Sequence, residues 1–199
     1  SGTIGGLTVS FSNGEMLIDG KSSFKAEEFS ESEFTWNWID EWDGTYWEVT
    51  EGTDLNGNWV MSEIAYTQDN NGGKGDLTGD SRIGWSSWDD NTGTSTWTQQ
   101  EINLSRGTDF TRVETFDNNN NTSTETITGL NDHISWYYLG AIFDINVTIE
   151  RDSNWNISNN SSGTVREVTG YDGNTDPIYG SSLAVTFSGG DILLGGVSL

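Results

Sequence analysis

The chain contains no cysteine, which excludes disulfide staples and thiolate chemistry and leaves packing, bound metal or assembly to hold the fold. A single histidine, His133, excludes a multi-histidine metal centre, and without a GxSxG elbow nothing marks a serine hydrolase. Cations are scarce: 8 lysines and arginines face 31 acidic side chains, for a formal net charge of -23. That charge repels nucleic acid and anionic membrane surfaces, whereas divalent cations, a basic partner or a neutral glycan suit it. Long apolar runs are also missing, so neither membrane insertion nor a leader segment is expected. Proline occurs once, at Pro177, and helical periodicity is confined to Phe24 to Ser32.

What remains is a chain of 199 residues, rich in glycine, serine, threonine and asparagine, that alternates with period two. The clearest strand is Ile142 to Arg151, with Phe143, Ile145, Val147 and Ile149 on one face and Asp144, Asn146, Thr148 and Glu150 on the other. Turn signals separate such segments, among them Trp42-Asp43-Gly44, Asn56-Gly57, Asn70 to Gly73 and Asp172-Gly173-Asn174. Asn-Gly and Asp-Gly supply the positive φ angles of tight antiparallel hairpins. About a dozen strands result, and no linker divides them. The expected fold is all-β, an antiparallel sandwich or barrel forming one domain over residues 1–199.

Two hairpins at opposite ends of the chain resemble each other. Leu7 to Gly20 reads LTVSFSNGEMLIDG and Leu183 to Gly196 reads LAVTFSGGDILLGG, an offset of 176 residues. A two-residue turn at Asn13-Gly14 pairs Phe11 with Met16 and Val9 with Ile18; one at Gly189-Gly190 pairs Phe187 with Ile192 and Val185 with Leu194. The second hairpin carries one charge, Asp191, and apolar residues on both faces, so it must be covered within its own molecule or by another. The repeat implies a sheet closed by two equivalent hairpins, or one unit of a larger head-to-tail series.

Ten tryptophans form the second signal. Phe34, Trp36 and Trp38 share one face of a strand, and most of the others are expected to fill the core of a cysteine-free protein. Trp42, between Glu41 and Asp43, and Trp88, before Asp89-Asp90, are the candidates for exposed residues that stack on sugar rings. Gly75 to Gly84, GDLTGDSRIG, resembles the calcium loop of EF-hand and dockerin proteins. The resemblance implies Asp76, Thr78 and Asp80 as Ca²⁺ ligands. It departs where Ser81 replaces a glycine and Ser87 the bidentate acid, and no helices flank it. Gly189 to Gly196 is similar to the glycine-aspartate repeats of calcium-binding β-rolls, in a single partial copy. Glu48, Glu63, Glu101 and Glu114 sit in expected strands, where carboxylates face solvent more often than they catalyse.

These features point to a non-enzymatic extracellular or cell-surface structural and adhesive protein that self-associates through its terminal hairpins, with Ca²⁺ as a stabilising ion. The alternatives are a carbohydrate-binding module using exposed tryptophans, a barrel holding a hydrophobic ligand, and a glycan-active enzyme.

Overall fold

The computed structural model describes the backbone of residues 2–4, 7–12, 15–18, 21–25, 34–53 and 58–199, and the side chains of 35–53 and 58–199. Strands make up 72% of it, and there is no helix among the described residues. Of the stretch expected to be helical, Phe24 and Lys25 end a strand, while residues 26–32 lie outside those described. The turn at Asn13-Gly14 also lies outside them.

Four short strands form one antiparallel sheet: β1 (Gly2–Ile4), β2 (Leu7–Ser12), β3 (Glu15–Ile18) and β4 (Lys21–Lys25). The other twelve form a second, which is not closed. These are β5 (Phe34–Ile39), β6 (Tyr46–Thr53), β7 (Trp59–Gln68), β8 (Lys74–Asp89), β9 (Thr94–Asn103) and β10 (Thr108–Asp117). They continue with β11 (Thr122–Ile134), β12 (Tyr137–Arg151), β13 (Ser162–Tyr171), β14 (Pro177–Ser188), β15 (Asp191–Leu194) and β16 (Val197–Ser198). Among the described residues, each strand pairs only with its neighbours in sequence.

Local chemistry explains that meander. At Asp40, Asp69, Asp89, Asp117, Asp152 and Asp172, where a strand gives way to a turn, the carboxylate Oδ1 accepts the backbone N–H two residues on at 2.8–2.9 Å. An aspartate that closes the turn on its own backbone favours local reversal of the chain.

The chain forms two compact units, Ser1–Ser87 with Gln99–Arg106, and Trp88–Thr98 with Gly107–Leu199. In the first, Val49 and Ala65 are fully buried, and Trp38 stacks on Trp47 with ring centroids 5.9 Å apart. Trp36 and Trp38 lie opposite Val49 and Trp47, on one face as the alternation predicts. The nearly buried Glu63 is paired with Arg82 at 2.8 Å.

In the second unit, Phe143, Ile145, Val147 and Ile149 of β12 are buried as expected, together with Ile127 of β11 and Val165 of β13. What covers this face was not visible in the sequence. Fully extended, the 15 residues of β12 would span roughly 50 Å. Yet Arg151 at its end donates to Ser135, just before its start, at 3.0 Å. The β11–β12 hairpin therefore folds back on itself, with a register break between Asn131 and His133 and Gly140 at φ +81°. Ile134, Tyr137 and Leu139, near its tip, pack against the same core.

Candidate functional site

The structure extends the terminal repeat from two strands to four. Val9↔Ile18 and Phe11↔Met16 in the first copy are matched by Val185↔Leu194 and Phe187↔Ile192 in the second, the pairing their turns predict. The following strand keeps the register, with Ile18↔Lys21 and Leu17↔Ser22 against Leu194↔Val197 and Leu193↔Ser198. So does the preceding one: Gly2↔Val9, Thr3↔Thr8 and Ile4↔Leu7 correspond to Gly163↔Val185, Thr164↔Ala184 and Val165↔Leu183. The first strand of each module thus reads Gly-Thr-Ile or Gly-Thr-Val. Sequence comparison at a fixed offset misses this match, because residues 166–182 intervene in one copy and only Gly5-Gly6 in the other.

The C-terminal module turns one face into the core, where Val185, Phe187 and Ile192 are at most 4% exposed. Its turns are glycine pairs, Gly189-Gly190 and Gly195-Gly196, all four at positive φ, as two-residue hairpins with a right-handed twist demand. Val197 and Leu199 remain 71% and 57% exposed. The two modules differ most at their last strand: β4 holds Lys21 and Lys25, two of the chain's three lysines, whereas Val197 occupies the position of Lys21 in β16. On the opposite side, Gly163–Val165 is hydrogen-bonded to β12, while β1 is an edge of its sheet among the described residues.

The other predicted residues are dispersed. Trp42 is 98% exposed in the first unit, in the turn that Asp40 closes. Trp88, 55% exposed in the second, donates its indole N–H to Asp90. Asp76, Thr78 and Asp80 lie within strand β8, which corrects the expectation of a loop there: pairing with β7 draws the segment into the sheet. Thr78 donates its hydroxyl to the Ala65 carbonyl at 3.2 Å. Among the described residues no three or more His, Cys, Asp or Glu side chains converge to hold a metal ion. His133 bonds the adjacent Asp132 at 2.6 Å and packs on Tyr138.

Comparison with protein-family models, with characterised proteins and with solved structures returns no match.

Proposed function

We propose that the chain is a non-enzymatic building block of a secreted or cell-surface β assembly, joined copy to copy through its terminal modules. The observation that supports this reading is the edge chemistry of the repeat. Lysines on an edge strand keep other strands off, and β4 carries two, whereas its counterpart β16 has an exposed valine in the same place. β16 of one copy, added beside β1 of the next, matches an unguarded edge with an open one. Main-chain hydrogen bonds supply the affinity of such a contact. Because it joins unlike surfaces, it propagates from copy to copy.

Val197→Lys installs on β16 the residue that guards β4. Light scattering coupled to size exclusion, over a range of concentrations, is expected to show mass rising above 21.9 kDa for the native chain and constant at that value for the variant. Their thermal midpoints should agree at dilutions where both are monomeric. A native chain that stays at 21.9 kDa throughout, or a variant that associates equally, sinks the reading.

A further inference from the structure

A cleft of about 470 Å³ opens in the second unit, walled by three turns far apart in sequence. Trp136 and Tyr137 come from the tip of the folded-back β11–β12 hairpin, Trp155 and Asn156 from the turn after β12, and Gly189-Gly190 from the turn between β14 and β15. The Tyr137 hydroxyl donates to the Gly190 carbonyl at 3.1 Å and ties the first wall to the third. A volume of this size lies within the range of small-molecule sites, roughly 300–1,000 Å³.

Left-handed backbone gathers around this cleft. Among the described residues, four that are not glycine have left-handed φ: Asn121, Ser135, Trp155 and Thr175. Trp155 lines the cleft, Ser135 directly precedes Trp136, and Asn121 donates its side-chain amide to the Ser153 carbonyl in Trp155's own turn. The turn that holds Trp155 has two sisters. In each of the three, the N–H of the leading aspartate donates to the carbonyl four residues on: Asp69 to Gly73, Asp152 to Asn156, and Asp172 to Asp176. The fourth residue takes the left-handed conformation, and it is Gly72, Trp155 and Thr175 respectively. A bulky aromatic, like the β-branched threonine of the third turn, is a costly choice for that position, and such a conformation persists where the surrounding structure over-determines it.

Both indoles are braced on one side and open on the other. Phe116 stacks on Trp155, with centroids 5.8 Å apart and planes 14° from parallel. Arg151, 3% exposed, sets its guanidinium 4.8 Å from the Trp136 ring centroid. That guanidinium is anchored through Nη2 to Glu125 at 2.8 Å and to Ser135 at 3.0 Å. Even so, Trp136 and Trp155 are 65% and 53% exposed.

In a chain of net charge -23, no side chain lining this cleft is charged at neutral pH. Ring faces, Ile157, the amides of Asn156 and Asn159, and the main chain of two glycines make up its recognition surface. That combination suits a neutral molecule with apolar C–H faces and a hydroxyl rim. We infer that the cleft binds a neutral pyranose oligosaccharide, its ring faces on Trp136 and Trp155 and its hydroxyls on the asparagine amides and the Gly189-Gly190 backbone. Trp42 and Trp88 take no part in it, and binding there is independent of whether copies assemble.

Tryptophan fluorescence and calorimetry on the full chain test this with cellobiose, maltose, chitobiose and laminaribiose up to ~10 mM. Digalacturonic acid serves as the charged comparison and an anilinonaphthalene dye as the apolar one. At least one neutral disaccharide is expected to bind saturably. Trp136→Ala and Trp155→Asn should each weaken it by about tenfold or more, while Trp42→Ala and Trp88→Ala leave it unchanged. Asparagine tolerates the left-handed conformation, so Trp155→Asn keeps the turn, and an unshifted thermal midpoint separates lost binding from lost fold. Silence from all four neutral sugars, tighter binding of the charged or apolar probe, or native affinity in both cleft variants overturns the inference.

Discussion

Half-buried in β8, Asp80 has one carboxyl oxygen, Oδ1, shielded from solvent without a hydrogen-bond partner. Burial, and then the negative charge of Glu101, push its pKa above the ordinary 3.8. A carboxyl raised in the folded state favours folding while protonated, and that contribution is lost as pH rises from 3.8 through the raised value. At neutral pH the charge is therefore a burden, and Asp80→Asn is expected to raise the urea midpoint there, with little difference from the native chain at pH ~3. A variant less stable than the native chain at neutral pH, in the presence of Ca²⁺ and not in EDTA, would show a cation using this carboxylate instead. Exposure at Trp42 and Trp88 was readable from their acidic neighbours. The role of Trp155 was not, because its signal is an Asp-x-Asn-x-Asn turn in which an aromatic stands where a sister turn has glycine.

Among the strands, the module's first one has the tightest constraint. A Cβ built at Gly163 would run into the Asn146 carbonyl and the Val147 Cα of β12, both backbone and unable to yield. Gly163→Ala is expected to cost on the order of 1–3 kcal/mol, read as a lower urea midpoint. A variant as stable as the native chain would mean that β12 and β13 lie further apart than the register requires. The same glycine begins β1 as Gly2, so the Gly-Thr-Ile/Val strand repeats the residue that permits close approach as well as the pairing pattern. Strands of this kind are legible wherever one face is buried and the other wet, as in β12. The fold-back of β11 and β12 is not, because alternation runs on through the bend, and what marks it is Gly129, Gly140 and a register break at which one residue of β11 stands against four of β12.

For the molecule as a whole, acidity and architecture are linked. The carboxyls of Asp43, Asp89, Asp117 and Asp152 are held below 3.8 by hydrogen bonds, chiefly from Thr45, Asn91, Asn120 and Asn156 respectively. Groups lowered on folding stabilise at pH above 3.8, and that stabilisation disappears as pH falls through their folded values. Self-repulsion among the excess carboxylates meanwhile weakens as pH approaches the isoelectric point near 4.1. The urea midpoint should thus hold or rise on acidification to pH ~4 and drop below pH ~3.8. A midpoint already falling between pH 7 and pH 5 would contradict the role given to the turns.

Turns that close on their own aspartates have one further consequence. Since, among the described residues, each strand of the large sheet bonds only to its predecessor and successor, contact order is low, and every hairpin can form as soon as its second strand has left the ribosome. Such a chain folds in the order in which it emerges. A hairpin pair can be added or removed without rerouting the rest, which is the kind of change that leaves one module written twice.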